Sequence, residues 1–309
     1  MQAKPIVVTG KHKKAGEYSS LRINAASAIA DLSNYKPLVT SEYGEAKVVV
    51  VCKPVHFGWK TPINEMEAKN PQPNVAIAIK QHEQMTHVLG EYNVKVVEVP
   101  YSPERPEAVY TRDPIAVVDD KLIKSRMREL VRSSEPETIY FPLGVELPKE
   151  VVLEGGDVIL GPESKLFLGC GPRTCKEAKI EIGKLVSRDI IEIELKDNSL
   201  HADCVFNVLS SSAAIVYPGG FRDPKVAIDF AKKHFPHVLV INNSEFINMG
   251  TNFFMINPET VLSSDANPRI AEELKRMHFN VIQIPFSEMH LGMGSIRCCI
   301  APIVRENTS

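Results

Sequence analysis

The sequence lacks the features that would direct a chain to a membrane or to nucleic acid. In 309 residues there is no run of about 18 successive apolar residues, the length that a membrane-spanning helix requires. Lys and Arg number 36 against 38 Asp and Glu, and the formal net charge of -2 leaves no basic excess to neutralise phosphates. We therefore expect no membrane and no nucleic-acid partner, and we expect a small-molecule ligand instead.

Two further absences concern secretion and disulfide bonds. The first residues, MQAKPIVVTGKHKKAG, contain no continuous apolar segment of the kind found in signal peptides, which predicts a cytoplasmic protein. Cysteine is scarce and unevenly spaced, so a disulfide framework is not expected. The six cysteines stand at positions 52, 170, 175, 204, 298 and 299. The pattern predicts free thiols, of which one is a candidate for a reactive group.

What the sequence does contain is a weak internal repeat. Five short apolar runs start 42, 53, 47 and 43 residues apart, and each follows a stretch that reads as a helix. The runs are Val96–Pro100, Thr138–Pro142, Ile191–Leu195, Val238–Asn242 and Val281–Pro285. The preceding helices are predicted over 75–92, 124–134, 173–186, 224–235 and 268–278. The recurring unit is therefore a helix followed by a strand.

After each run comes a second β-like segment that carries a polar cluster. The clusters are Tyr110–Asp113, Glu154–Asp157, His201–Asp203, Gly250–Asn252 and Arg297–Cys299. If the units close around an axis, all five clusters converge on one site. An ordinary doubly wound α/β sheet explains the alternation of helices and strands equally well, and periodicity alone leaves the two open. Residues 1–44 fall outside the repeat and are predicted to be an N-terminal extension packed on a single domain, 45–309, with a short helix near 20–32.

The adjacent cysteines are the first candidates for chemistry. A cysteine attacks as a thiolate, and strand alternation predicts that Cys298 and Cys299 face opposite sides, so that both cannot be core residues. The same alternation argues that Arg297 does not activate Cys298. Glycines at 292 and 294 are expected to let a ligand approach the backbone.

The other clusters add a proton carrier and carboxylates. His201 and Asp203 are expected on one face of a strand, where a histidine beside a carboxylate can move protons. Glu154, Asp157 and Asp113 lie in or before apolar runs, where a buried carboxylate is costly unless it is paired. Three carboxylates around one axis predict a cationic ligand, and a planar guanidinium suits paired carboxylates better than an ammonium does.

Two alternative sites are disfavoured. The segment Gly169-Cys-Gly171-Pro lacks the third glycine of a dinucleotide fingerprint, and its proline interrupts the helix entry. A zinc site built from His201, Cys204 and the cysteine pair is disfavoured because adjacent cysteines are poor tetrahedral ligands and no CxxC occurs.

The polar clusters, taken together and in order, resemble a known superfamily. Thr111-Arg-Asp113, Glu154-Gly-Gly-Asp157, His201-Ala-Asp203-Cys-Val-Phe206 and Gly294-Ser-Ile-Arg-Cys298 are similar to motifs of the guanidine-modifying enzymes, which include arginine deiminases, dimethylarginine dimethylaminohydrolases and amidinotransferases. The resemblance runs from about Ser41 to Arg305. It implies the pentein fold, a five-bladed α/β propeller with pseudo-fivefold ββαβ repeats, and it implies that neither a metal nor an organic cofactor is needed.

The resemblance also assigns roles to residues. Cys298 would attack the guanidinium carbon, Cys299 would point away, and His201 would protonate the departing amine and then activate water. Glu154 would orient His201 or hold the guanidinium. The expected substrate-binding residues are Asp113 and Asp203 at the guanidinium nitrogens, Arg173 with help from Arg132 at the α-carboxylate, and Asp157 and, more weakly, Asn64 nearby.

The expected function is hydrolysis of the guanidinium of arginine or a methylated arginine to citrulline and an amine or ammonia. The dimethylarginine type leads, because the chain lacks the helical insertion of arginine deiminases. Arginine dihydrolases tend to have asparagine where Arg112 stands, which argues against them. Two alternatives remain, an amidinotransferase that passes the amidino group to an amine and a non-catalytic binding protein of the same fold. The oligomeric state is left open.

Overall fold

The computed structural model describes residues 25–139 and 144–306. Within them, fifteen strands form five three-stranded sheets. The strands are β1 (Glu45–Cys52), β2 (Lys95–Val99), β3 (Ile115–Val118), β4 (Lys121–Lys124), β5 (Val145–Glu146), β6 (Val158–Leu160), β7 (Lys165–Cys170), β8 (Asp189–Glu194), β9 (Phe206–Val208), β10 (Ala213–Val216), β11 (His237–Val240), β12 (Phe254–Asn257), β13 (Thr260–Ser264), β14 (Asn280–Ile284) and β15 (Ala301–Glu306).

The helices lie mainly between the second and third strands of the sheets. They are α1 (Ala25–Leu32), α2 (Glu65–Lys69), α3 (Val75–Glu91), α4 (Pro136–Ile139), α5 (Glu177–Leu185), α6 (Pro224–His234), α7 (Asn243–Ile247), α8 (Pro268–Arg276) and α9 (Ser287–His290). Among these described helices, none is both long and apolar enough to cross a bilayer.

All five sheets have the same internal arrangement. The middle strand pairs antiparallel with one neighbour and parallel with the other, as β7 does with β6 and β8. Parallel neighbours need a crossover, which α3, α5, α6 and α8 supply in four of the sheets. In the first sheet β1 lies between β2 and β15, so the last strand of the chain completes the sheet that the first strand begins. The predicted α/β class is confirmed, and the predicted repeat corresponds to these sheets.

The second unit departs from the expected pattern. The predicted helix over 124–134 is wrong, because β4 ends at Lys124 and only a short 3₁₀ turn, Leu130–Arg132, follows. The predicted strand Thr138–Pro142 is also wrong at its start, since Thr138 lies in α4 and residues 140–143 are outside the described part. Pro136 opens α4 because its fixed φ suits the first turn of a helix and not a strand interior.

Buried apolar clusters join neighbouring sheets. One contains side chains from β1, β3 and β7, and another joins β1 with β12 and β13. Two more connect the third sheet to the fourth and the fourth to the fifth. Leu32 and Val39, from the predicted N-terminal extension, are almost completely buried in the first cluster. The domain boundary at 44/45 stays a prediction, and residues 1–24 lie outside the described part.

Candidate active site

Each of the five polar clusters lies in the turn that leads into the first strand of a sheet, by which we mean the edge strand that pairs antiparallel with the middle strand. The turns precede β3, β6, β9, β12 and β15. They had been expected on β-like segments, but the structure has 3₁₀ turns at Gly155–Asp157 and Ala202–Cys204 and a non-strand turn at Cys298 and Cys299. Side-chain direction in these turns therefore does not follow the alternation of a strand.

A small buried cavity of about 10 Å³ brings several of the clusters together. Its lining includes Cys298 from the turn before β15, His201 from the turn before β9, and Asp113 from the turn before β3. Further predicted residues on its wall are Arg132, Arg173 and Asn64. Space of this size holds about one water molecule, so a substrate must displace part of the wall. A neighbouring cleft of about 280 Å³ shares Ile63, Asn64, Arg173, Leu200 and Met293 with this wall.

His201 is completely buried between two carboxylates. Its Nε2 lies 2.7 Å from Oε2 of Glu154, and its Nδ1 lies 3.6 Å from Oδ1 of Asp113. Burial alone would lower the pKa of His201, but Asp113, Glu154 and Asp157 outweigh it and raise that pKa to about 10. His201 is therefore an imidazolium at neutral pH, placed to give a proton to a group in the cavity.

Glu154 supports His201 from behind the cavity. Its Oε1 accepts a hydrogen bond from the backbone N–H of Arg128 at 2.8 Å, while Oε2 faces the imidazole. Although burial raises the pKa of Glu154, the hydrogen bond and charge of His201 lower it to about 2. Of the two roles left open by the sequence, the geometry favours orientation of His201, because both carboxylate oxygens are engaged.

The Glu-Gly-Gly-Asp cluster requires glycine because three elements meet there. A Cβ added to Gly156 would lie 2.8 Å from Oδ1 of Asp113 and 2.8 Å from Cγ of His201. Asp113 and His201 both form part of the cavity wall, so neither side chain can move to make room for a Cβ. Gly156 therefore allows Asp113 and His201 to approach each other.

The other cavity glycines leave room for Tyr110. A Cβ on Gly294 would lie 2.1 Å from the ring of Tyr110, and one on Gly292 would lie 2.6 Å from its hydroxyl. Both glycines also line the cavity. The expected approach of a ligand to their backbone stays a prediction.

Cys298 is held by the turn before β12. The amide of Asn252 donates from Nδ2 to Sγ of Cys298 at 3.1 Å, and its Oδ1 accepts from the Cys298 backbone N–H at 3.1 Å. The neighbouring Cys299 is fully buried in an apolar cluster and does not line the cavity. Burial raises the pKa of the Cys299 thiol well above its usual value. Cys298 packs in the same cluster, but it alone of the two cysteines lines the cavity and accepts from Asn252.

Arg132 is directed to protein carboxylates. It donates from Nη1 to Oδ2 of Asp113 at 2.7 Å and from Nε and Nη2 to Glu135. These bonds occupy most of the N–H donors of Arg132. The contacts therefore favour a role for Arg132 in positioning Asp113 over the expected role at a substrate carboxylate. Arg173 differs, because its Nη2 donates to the carbonyl of Ile63 while its Nη1 is buried without a hydrogen-bond partner.

Two of the predicted carboxylates do not line the cavity. Oδ2 of Asp203 accepts from Nε of Arg297 at 3.2 Å, and Oδ1 of Asp157 accepts from the backbone N–H of Ala202 at 2.8 Å. Asp203 lies in the 3₁₀ turn Ala202–Cys204 and not on a strand, so the expected shared strand face does not exist, although Asp203 remains close enough to interact with the charge of His201. Arg297 also pairs with Glu42, so it does not face the substrate side of Cys298. The predicted roles of Asp203 and Asp157 at the substrate are not supported by these contacts.

Asn64 shapes the wall of the cavity through the start of α2. Its Oδ1 caps that helix by accepting from the Glu67 backbone N–H at 2.9 Å, and its Nδ2 reaches the carbonyl of Gly292 at 3.5 Å. Glu67 in turn accepts from the backbone N–H of Ile63 at 2.8 Å. Asn64 thus links the loop before α2 to the glycine segment before β15.

Glu107 and Asn252 belong to the site but were not predicted from the sequence. Glu107 lines the cavity and is 3 % exposed. Burial, reinforced by the negative charges of Glu67 and Glu135, raises the pKa of Glu107 to about 8. Glu107 stands in no recognisable motif, whereas Asn252 belongs to a polar cluster that had been singled out without a role.

Three side chains of the site form a set that could ligate a metal ion. Asp113, Glu154 and His201 each offer one ligand atom, and these atoms lie within 4.8 Å of one another. The short hydrogen bond between His201 and Glu154 uses two of those atoms already. The expectation that no metal is needed stays a prediction.

Comparison with known proteins assigns the chain to a family. The family model for eukaryotic N,N dimethylarginine dimethylhydrolase matches residues 53–305. The chain belongs to this family. The predicted superfamily is thereby confirmed, as is the predicted enzyme class, a hydrolase of guanidino carbon–nitrogen bonds.

Individual relatives agree with this membership. The chain is 31% identical over 281 residues to the uncharacterized protein YkgA of Bacillus subtilis, covering 88% of this chain and 97% of that protein. It is 26% identical over 239 residues to N(G),N(G)-dimethylarginine dimethylaminohydrolase of Mycobacterium tuberculosis, covering 74% and 76%. It is also 26% identical over 261 residues to the arginine deiminase of Lentilactobacillus hilgardii, covering 67% of this chain and only 62% of the deiminase.

A solved structure shares the fold. The N-terminal domain of ArgZ, an arginine dihydrolase of the ornithine–ammonia cycle in Cyanobacteria, superposes with a TM-score of 0.77 at 21% identity. The match covers 84% of this chain and 98% of that domain. Arg112, used above to argue against the dihydrolases, pairs with Glu42 and is absent from the described cavity lining. The residue at position 112 therefore separates this chain from the dihydrolases less clearly than the sequence suggested.

Proposed function

We propose that the protein hydrolyses the guanidinium group of arginine or an N-methylated arginine through a covalent thiouronium intermediate on Cys298. The products are citrulline and ammonia or a methylamine. The observation that carries the proposal is that Cys298, His201 and Asp113 lie together on the wall of one buried cavity.

The chemistry proceeds in two halves. The thiolate of Cys298 attacks the guanidinium carbon, and the tetrahedral adduct expels the substituted or unsubstituted amine, which takes a proton from the His201 imidazolium. His201, now neutral, removes a proton from a water molecule that attacks the thiouronium carbon, and the carbon–sulfur bond breaks to release citrulline. Glu154 holds the imidazole in place through both steps and stabilises its charged form.

The substrate's charges can bind to cavity groups that lack a full set of hydrogen bonds. Oδ1 of Asp113 lies 3.6 Å from Nδ1 of His201 and has no hydrogen-bond partner among the described residues, which suits a guanidinium N–H. Nη1 of Arg173 lies 3.8 Å from Oε1 of Glu154 and likewise has no hydrogen-bond partner there, which suits the α-carboxylate. Glu107, buried in the same wall, is the carboxylate that we assign to the α-ammonium group. Because its pKa is raised to about 8, binding of a cation would favour its ionised form.

We propose that the five sheets form the blades of a pentein propeller. Apolar clusters connect successive sheets, and β15 completes the sheet of β1 and β2, which supports closure of the chain into a ring. The five turns before the first strands would then surround one axis. A cytoplasmic location and the oligomeric state stay predictions.

The choice of substrate within the proposal follows the family. The dimethylarginine hydrolases come first because the family model and the Mycobacterium tuberculosis relative belong to that type. Arginine itself is the second candidate, since relatives named arginine deiminase also match the chain.

The experiment separates these candidates. The protein is incubated with arginine, monomethylarginine, asymmetric dimethylarginine or agmatine, and citrulline or carbamoylputrescine is measured together with the released amine. Turnover of at least one substrate and loss of turnover in Cys298→Ser are expected. Adding glycine or lysine tests for capture of the amidino group by a transferase. Full activity of Cys298→Ser, or no turnover of any of the four compounds, would overturn the proposal.

A further inference from the structure

Asn252 makes an unusually complete set of contacts with Cys298. It is 1 % exposed and lies in the turn before β12, whereas Cys298 lies in the turn before β15. Its side chain makes the two hydrogen bonds already described, to Sγ and to the backbone N–H of Cys298. Its backbone carbonyl accepts from the N–H of Arg297 at 3.4 Å. Three hydrogen bonds therefore join Asn252 to Cys298, which carries the sulfur, and to its neighbour Arg297.

The direction of the Asn252 amide is set by its neighbours. A backbone N–H can only donate, so the amide atom that faces the Cys298 N–H must be the oxygen. The amide nitrogen is then left facing Sγ, and an amide N–H can only donate. A thiolate accepts such a bond better than a thiol, because hydrogen bonds to charged acceptors are the stronger ones.

We propose that Asn252 is a positioning residue for Cys298, which aims the sulfur at the cavity and favours its thiolate form. The inference rests on the proposed function, in which Cys298 is the nucleophile. An amide suits this position because it donates without adding a positive charge. A lysine or arginine there would also favour a thiolate, but it would repel the guanidinium that the sulfur has to attack.

Other groups lie near the same sulfur and are part of its environment. The Cys204 thiol donates to Oδ1 of Asp203 at 3.6 Å, and its interaction with Cys298 together with burial raises the pKa of Cys204 well above its usual value. Arg297, Cys299 and Tyr110 interact electrostatically with Cys298. The charged and titratable groups that share its cavity are Glu107, Asp113, Arg132, Arg173 and His201. Asn252 is the group whose amide N–H donates to Sγ.

The matched control is a second buried asparagine near the same turn. Asn207, in β9, is 1 % exposed and donates from Nδ2 to the carbonyl of Thr251 at 3.0 Å, while its Oδ1 accepts from the backbone N–H of Val208 and not from Cys298. Asn252→Leu and Asn207→Leu remove the same amide and keep a similar volume. Asn252→Ser retains a small donor and provides partial rescue. Thermal unfolding of all variants identifies any that fail to fold.

The experiment measures alkylation of Cys298 by iodoacetamide from pH 5 to 10 in the absence of substrate, with the modified peptide followed by mass spectrometry. For Asn252→Leu we expect a rate at neutral pH about ten- to a hundredfold below wild type and a higher pH midpoint. We expect a smaller change for Asn252→Ser and an unchanged midpoint for Asn207→Leu. With a substrate, kcat falls in the Asn252 variants while KM changes by less than about threefold.

The proposal is overturned if a folded Asn252 variant keeps the wild-type alkylation profile, or if Asn207→Leu shifts the midpoint as far as Asn252→Leu does. Should Asn252→Leu not fold, Asn252→Ser decides by the same criterion. Because alkylation needs no substrate, this result is independent of turnover. A wild-type protein that hydrolyses none of the four guanidino compounds contradicts the proposed function without changing what the alkylation profiles report about Asn252.

Discussion

His201 and Glu154 form a fully buried imidazolium–carboxylate pair, with 2.7 Å between Nε2 and Oε2. Burial of each group opposes its charged form. For His201 the charges of Asp113, Glu154 and Asp157 overcome that cost, and for Glu154 the hydrogen bond and charge of His201 do. The pKa of His201 is raised to about 10, and the pKa of Glu154 is lowered to about 2. The pair is consequently ionised between these two values, and it keeps a proton donor inside a cavity that excludes most water.

Replacing Glu154 with glutamine tests this pair through the pH dependence of activity. The imidazolium loses its proton as pH rises through the pKa of His201, so activity that needs this acid should decline on the alkaline side. In Glu154→Gln the pKa of His201 should fall, which moves the alkaline decline to lower pH. We expect kcat at pH 8 to fall about tenfold or more. The measurement is kcat against pH, and an alkaline limb that stays in place would contradict the assignment.

The same pair affects stability, with opposite signs for its two members. Glu154 has a depressed pKa, so its contribution is present above the unfolded value of 4.5 and is lost as pH falls through about 2. His201 has a raised pKa, so its contribution is complete below 6.5 and is lost as pH rises through about 10. Urea denaturation of wild type and Glu154→Gln should differ most between about pH 4.5 and 6.5, where both contributions are complete, and the difference should shrink as pH rises towards 10.

The positions of the chemical groups could be predicted from the sequence, but their directions could not. The polar clusters were expected to converge, and Asp113, His201 and Cys298 do line one cavity, with Glu154 bonded to His201. Asp203 was expected on one strand face with His201, but the segment forms a 3₁₀ turn in which Asp203 bonds to Arg297. The period-2 alternation used for the prediction holds only in a strand, and the sequence pattern did not reveal the turn.

Partners that are distant in sequence were also beyond prediction. Asn252 was noticed only as part of the fourth cluster, since its bond to Cys298 spans 46 residues. Glu42 was assigned to an extension outside the repeat, yet it pairs with arginines from two of the polar clusters. Such pairings depend on how the sheets pack against one another, which local propensities do not determine.

Replacing Arg173 tests recognition of the substrate carboxylate. Nη1 of Arg173 has no hydrogen-bond partner among the described residues and lies 3.8 Å from Oε1 of Glu154, so it can bind a substrate carboxylate. Arg173→Met should therefore lower kcat/KM for the amino-acid substrate about ten- to a hundredfold. Agmatine has a guanidinium but no carboxylate, so its kcat/KM, or its Ki as a competitor, should change much less. Arg128→Met is the control, since the Arg128 side chain lines the neighbouring cleft but is absent from the described lining of the cavity. Equal losses for agmatine and the amino acid would refute the assignment.

Removing metal ions tests the prediction that the chemistry needs none. Asp113, Glu154 and His201 are close enough to ligate an ion. However, the imidazolium of His201 already interacts with the charges of the two carboxylates, and it is hydrogen-bonded to Glu154. Dialysis against EDTA followed by metal-free buffer should leave kcat within about twofold of the starting value. Loss of activity that returns with one divalent cation would instead show that these three residues form a metal site.

Glu42 tests how far the segment before β1 contributes to the core. Its Oε1 accepts from Arg112 at 2.9 Å, its Oε2 accepts from Arg297, and burial is overcome by these arginines so that its pKa lies well below the usual range. Glu42→Gln leaves two buried guanidinium groups without their main counter-charge, and we expect a loss of about 3 to 5 kcal/mol in the free energy of unfolding.

A surface pair provides the comparison for Glu42. Glu245 binds Arg269, whose side chain is 47% exposed, and it occupies a capping-box position in which glutamine is also accepted. Glu245→Gln should therefore cost less than about 1 kcal/mol, because water stabilises an exposed arginine that has lost its partner. Urea denaturation at pH 7 measures both variants. Similar losses in the two would mean that Glu42 is no more important to the core than a surface ion pair, and that Arg112 and Arg297 are stabilised by other groups.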